Sequence, residues 1–142
     1  MKQFEASITI EGEPHRVWEV LLATGAWPEW DPSCERIEGT VALGAKIKAF
    51  SKLSPGRAFP VKVSELVPDE RMVWSGGMPL GLFKGERSFV LTREGQKTHF
   101  QLREVFSGPM LALIGGTIPD MSAAFAGFVA GLKKRVEAGA RS

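Results

Sequence analysis

Five apolar residues near the C-terminus, Met121, Phe125, Phe128, Leu132 and Val136, recur at steps of four, three, four and four. No other feature constrains the fold as strongly. That spacing lines them along one side of an α-helix of about four turns, so a continuous apolar stripe must be buried against something. Pro119 ahead of the stripe and Gly139 after it frame the helix. Small residues (Ala123, Ala124, Ala126, Gly127, Ala130 and Gly131) fill much of the remaining surface.

What precedes the helix supplies the partner. Phe4 to Ile10 alternates and is rich in β-branched residues, which predicts a strand. Gly12-Glu13-Pro14 ends it, and Pro14 suits the first turn of a helix, where its missing N–H has no intrahelical partner to lose. Val17, Trp18, Val20, Leu21 and Leu22 then follow at helical spacing to near Thr24-Gly25. Trp27-Pro28-Glu29-Trp30-Asp31-Pro32 cannot extend that helix, because proline disfavours helical backbone at the residue before it. It reads as a compact turn or second short helix anchored by two tryptophans. Strands are predicted over 34–38, 45–52, 59–67, 71–76, 84–94 and 97–107, punctuated by Gly39, Gly44, Pro55-Gly56, Pro68-Asp69 and Gly95-Gln96. The fold class is therefore α+β: a curved seven-stranded antiparallel sheet wrapped around a long C-terminal helix, with two short helices after the first strand. Residues 1–142 form a single domain. One helix cannot fill so wide a sheet, and the remaining space falls to bulky side chains, the short helices or a ligand.

Composition narrows the function classes. A net charge of +2 spread along the chain, with no basic stripe among aromatics, gives no footprint for nucleic acid. A single cysteine, Cys34, excludes an intrachain disulfide framework. The N-terminus lacks the apolar run of a signal peptide, and the longest apolar stretch, Met110 to Ile114, is too short for a transmembrane segment, so a cytoplasmic location is expected. His15 and His99 have no Cys/His ligand spacing around them, so neither a metal nor another cofactor is expected. Phosphate-cradling glycine motifs and the G-x-S-x-G elbow are missing. The pairs Gly76-Gly77 and Gly115-Gly116 read as loop joints.

The last two predicted strands locate a candidate site. Two-residue Gly-X loops favour type II′ hairpins, so Gly95-Gln96 sets Glu94 opposite Lys97 and Arg93 opposite Thr98. Counting outward, Leu91 meets Phe100, Phe89 meets Leu102, and Arg87 meets Glu104. Alternation puts these residues on one face together with Phe106, and that face is apolar except at Arg87 and Glu104. Ser88, Val90, Thr92, His99, Gln101 and Arg103 share the other, mostly polar face. A charged cross-strand pair is thus expected on the inner wall. It serves either as the polar anchor of an apolar ligand site or as an internal ion pair that touches no ligand. Trp74 shares the inner face with Met72, and both read first as core. Met121, Phe125 and Phe128 of the helix stripe face the same interior.

Four sequence words, in order along the chain, resemble the START-like superfamily of polyketide cyclases, dehydratases and lipid-binding proteins. They are Pro14-His15-Arg16-Val17-Trp18-Glu19-Val20-Leu21 (P-x-x-V-W-x-x-L), Trp27 to Pro32 (with Asp31 where the family commonly has Asn), Gly85 to Leu91 (G-x-H-x-F-x-L, with Arg87 at the His position) and Glu104-Val105-Phe106-Ser107-Gly108. The resemblance implies a helix-grip fold with a cavity between sheet and C-terminal helix. The apolar inner face and its scarce titratable groups make a small, mainly apolar ligand the leading expectation, contacted by Arg87, Glu104, Phe89, Leu91, Phe100, Leu102, Phe106, Trp74, Met121, Phe125 and Phe128. A cyclase-, dehydratase- or hydrolase-like enzyme would have Glu104 as its candidate catalytic group, since Arg87 replaces the histidine and the chain contains no tyrosine. A co-chaperone-like interaction module would instead use the apolar segments Met78 to Phe83 and Met110 to Ile114. Monomer and homodimer are both compatible with the sequence.

Overall fold

The computed structural model describes residues 2–139. The strands are β1 (Lys2–Ile10), β2 (Cys34–Glu38), β3 (Lys46–Ser51), β4 (Ala58–Val67), β5 (Arg71–Gly77), β6 (Lys84–Glu94) and β7 (Lys97–Ser107). The α-helices are α1 (Pro14–Leu22), a single turn α2 (Leu111–Ile114) and α3 (Ser122–Gly139), and a 3₁₀ helix spans Thr24–Glu29. All seven strands form one antiparallel sheet in the order β1-β7-β6-β5-β4-β3-β2. Register shifts between Cys34 and Arg36, and between Val63 and Glu65, bend the sheet as bulges do. No single helix among the described residues is long and apolar enough to cross a membrane.

Hairpin β6–β7 has the register that its turn predicts, with Glu94 paired to Lys97 and Arg87 to Glu104. Gly95 takes a φ of +66°, the left-handed value required at the first turn position. Three details differ from expectation. Met121 precedes α3, although its carbonyl still accepts from Phe125 N–H, because Asp120 Oδ1 takes the Ser122 N–H and starts the helix there. Within α3, Val129 joins the buried stripe of Phe125, Phe128, Leu132 and Val136. Gly76 and Gly77 are not a loop joint but continue β5, paired with Gly85 and Lys84.

The helix lies across the concave face against β1, β7 and α1. A Cβ at Gly131 would overlap the carbonyl oxygen of Trp30, so glycine is what lets α3 come this close to the 3₁₀ segment. Side chains fill the interior. Trp27 stacks on Trp74 at 5.1 Å and 9°, and Phe128 meets Trp27 and Trp30 edge-on. Trp27, Phe89, Phe100, Leu102 and Phe128 are all at most 2% exposed. Of the three occupants open to the interior, bulky side chains take most of the space.

Candidate functional site

Strand pairing builds the site as one row across the inner face: Val63 on β4, Trp74 on β5, Arg87 on β6, Glu104 on β7 and Phe4 on β1. Arg87 Nη2 donates to Glu104 Oε2 at 2.9 Å. The two side chains retain 27% and 14% exposure, so the pair is half-buried rather than sealed. Phenylalanines surround it. The Arg87 guanidinium lies 5.1 Å from the centroid of Phe125, a cation–π distance. Phe4 packs edge-on against both Phe125 and Phe106, and Phe106 stacks on Phe83 at 5.8 Å. Phe4, Phe83 and Met121 are only partly buried, so this aromatic collar reaches the surface at one end of the sheet.

The other expected site residues divide by depth. Phe125 and Phe106 stand beside the pair, Trp74 is next to Arg87 in the row but buried, and Phe89, Leu91, Phe100, Leu102 and Phe128 lie in the packed core. Phe4 and Phe83 are additions that sequence reasoning misses. Parity along β1 places Phe4 on the inner face once β1 is known to pair with β7, but that pairing is not written in local sequence. Phe83 stands just before its strand, where alternation gives no signal.

Two further polar features border the row. Asp31 is 5% exposed, and its Oδ1 accepts from Ser33 N–H and Ser33 Oγ–H, which turns the chain into β2. Burial raises its pKa, opposed by those two hydrogen bonds and by the positive charges of Arg87 and Lys52. Burial likewise pushes the Cys34 thiol up to about 11, which leaves it a quiet thiol at neutral pH. The indole Nε1–H groups of Trp30 and Trp74 are both buried, and no protein group accepts from either. An unsatisfied buried donor costs about 1–3 kcal/mol.

Elsewhere, exposed His15 bridges Glu19 at 2.7 Å and Asp69 at 3.1 Å, on the outside of the molecule. Among the described residues no group of three or more His, Cys, Asp or Glu side chains could hold a metal ion. Two surface depressions, of about 340 and 410 Å³, lie away from the row. One runs between α1 and the end of α3, past Arg16, Trp30 and Arg135, and the other adjoins Gly12 and Gln96. Neither touches Arg87 or Glu104.

Comparison with known proteins adds the family. A family model described as polyketide cyclase / dehydrase and lipid transport matches residues 1–137. Among solved structures, an Aha1 dimer from Colwellia psychrerythraea is 22% identical, with a TM-score of 0.72 over 98% of each chain. The Zhui aromatase/cyclase from a Streptomyces species is 14% identical, with a TM-score of 0.73 over 99% of this chain and 96% of its own. A START superfamily protein from Mycobacterium smegmatis is 14% identical, with a TM-score of 0.66 over 96% and 97%. Comparison with curated proteins gives no match. At these identities the solved structures establish the helix-grip fold and nothing finer.

Proposed function

The chain belongs to the polyketide cyclase, dehydrase and lipid transport family, and on that premise we propose that it binds a small, mainly apolar molecule between the sheet and α3, anchored by Arg87 and Glu104. One observation carries this reading. A partly buried ion pair stands inside a collar of four phenylalanines, Phe4, Phe83, Phe106 and Phe125, on an otherwise apolar face. Apolar walls with a few placed polar groups are the common form of a ligand site. An ion pair kept only for stability is poorly explained, because hydrophobic replacements of such pairs are often as stable or more so.

Binding is favoured over proton-transfer catalysis by the state of Glu104. Its Oε2 already accepts from Arg87 at 2.9 Å, as a counterion does, which leaves only Oε1 to reach a ligand proton as a general base must. Native mass spectrometry of the freshly purified protein tests the reading. A retained small molecule, released when the protein unfolds, is expected. Tryptophan fluorescence provides a second route, since Trp27 and Trp74 stack just behind the collar. A protein that retains nothing and whose emission ignores every naphthalene-sized probe does not have this function. Glu104→Gln separates the enzymatic alternative. Binding with unchanged affinity, together with a turnover lower by about 100- to 10,000-fold, would identify Glu104 as a proton carrier instead.

A further inference from the structure

The proposed binding site raises a narrower question, namely which chemical group its polar end accepts, and the answer rests on the binding reading. Arginine carries five N–H donors, and the Arg87 side chain uses them in one hydrogen bond, to Glu104. Directly opposite on β5 is Trp74, 3% exposed, with an indole N–H that no protein group accepts. Paired positions on adjacent antiparallel strands put their side chains on the same face with Cβ atoms about 4.5–5.5 Å apart. Of the nearby carboxylates, Glu104 Oε2 is engaged by Arg87 and Asp31 Oδ1 twice by Ser33, and neither carboxylate accepts from the Trp74 indole.

We propose that the Trp74 indole N–H and a spare N–H of Arg87 form a two-donor subsite for one uncharged oxygen acceptor, a ketone, ester or amide carbonyl, on the bound apolar molecule. Charge balance selects an uncharged group. Arg87 and Glu104 already neutralise each other, so a carboxylate would bring a second, uncompensated negative charge beside Glu104 in a largely desolvated place. A hydrocarbon brings no charge but leaves the buried indole donor unpartnered. A carbonyl supplies the acceptor without the charge.

Three probes of matched size isolate the group: 2-acetylnaphthalene, 2-ethylnaphthalene and 2-naphthoate. Their affinities are read by tryptophan fluorescence, and ¹⁵N NMR follows the Trp74 Nε1–H signal, assigned by its loss in Trp74→Phe. The ketone is expected to bind about tenfold more tightly than the ethyl compound, the worth of one well-placed hydrogen bond. The naphthoate should bind more weakly than the ketone, and only the ketone should move the Trp74 Nε1–H proton strongly downfield. Trp74→Phe and Arg87→Met should each abolish the preference for ketone over hydrocarbon, read as the ratio of the two affinities within the same variant. Should either variant fail to fold, the shift of the Trp74 signal in the unaltered protein, assigned through bonds by triple-resonance spectra, still decides. Equal affinity for the ketone and ethyl probes, or an unmoved indole signal in the ketone complex, overturns the subsite and leaves the binding reading standing. Tightest binding of the naphthoate overturns the selection of an uncharged group. If none of the three binds, the binding reading fails and the subsite fails with it.

Discussion

At the scale of single residues, Asp31 is the most informative position. Its carboxyl is buried, and burial raises its pKa, so the folded protein holds that proton more tightly than the unfolded chain does. The sign follows from proton linkage. As pH rises through the ordinary aspartate range towards the raised folded value, the unfolded state releases its proton first and the fold loses stability. An asparagine at this position would keep the acceptor that Ser33 N–H and Oγ–H use and would remove the buried ionisation. Asp31→Asn is therefore expected to raise the melting temperature at neutral pH, with the gain shrinking to nothing as pH falls below the unfolded pKa. Thermal melts from pH 3 to 8 check this, and a gain that ignores pH would show that burial of the charge is not the cause. In the sequence, Asp31 stands out only as a departure from Asn, and no role attaches to it. Nothing local to Trp-Asp-Pro says that the carboxyl ends up at 5% exposure and in the field of Arg87, which comes near only when β6 and the turn are brought together by folding. The Arg87–Glu104 pair, in contrast, is legible, because a two-residue turn transmits its register along both strands without help from the rest of the molecule.

At the scale of elements, local rules locate the strands to within a residue or so, and they err where an end is set by a contact outside the element. The start of α3 depends on Asp120, and the last pair of β5 depends on a neighbouring strand, so local rules misplace Met121 and Gly77. The closeness of α3 to the 3₁₀ segment is another such contact, and it makes a prediction against helix propensity. Alanine in place of Gly131 should favour an isolated helix by about 1 kcal/mol. Here the added methyl would collide with the Trp30 carbonyl oxygen, and backbone on both sides leaves it no way to turn aside. Overpacking costs about 1–3 kcal/mol, so Gly131→Ala is expected to destabilise the protein on balance. Urea unfolding measures the difference. Gly116→Ala is the comparison, because a Cβ there would meet nothing within 4 Å. Should Gly131→Ala prove as stable as the parent, α3 is not held at the distance described.

At the scale of the whole molecule, the apolar inner face and its single polar pair are readable from alternation, but the division between packed core and accessible collar is not. That division depends on how four tryptophans and the phenylalanines fill three-dimensional space. It leaves Trp74 at 3% exposure and Arg87 at 27% although they are direct neighbours. A ligand that reaches Arg87 must therefore part something at the collar's end, and the structure shows what stands there. Segments 78–83 and 108–118 meet at that end, joined by the Met110 N–H to the Leu82 carbonyl at 2.9 Å. They hold Leu80 at 96% and Leu113 at 76% exposure, so little apolar burial secures them. Gly108 is the point of closest approach. Its φ is +107°, and a Cβ would come within 2.6 Å of the Leu82 carbonyl oxygen. If these segments are the gate, the Met110 amide should exchange with solvent at least about 100-fold faster than the Phe89 and Phe100 amides of the central hairpin. Saturating 2-acetylnaphthalene should slow that exchange, since a bound ligand stabilises the closed form that it contacts. Gly108→Ala should wedge the segments apart, quickening both exchange at Met110 and probe association while the β6–β7 core stays protected. Hydrogen exchange with mass spectrometric readout follows the amides, and stopped-flow fluorescence follows the probe. Protection at Met110 equal to that of the central strands would place the entrance elsewhere. An alanine variant that exchanges faster but binds the probe no faster would mean that the segments move without gating anything.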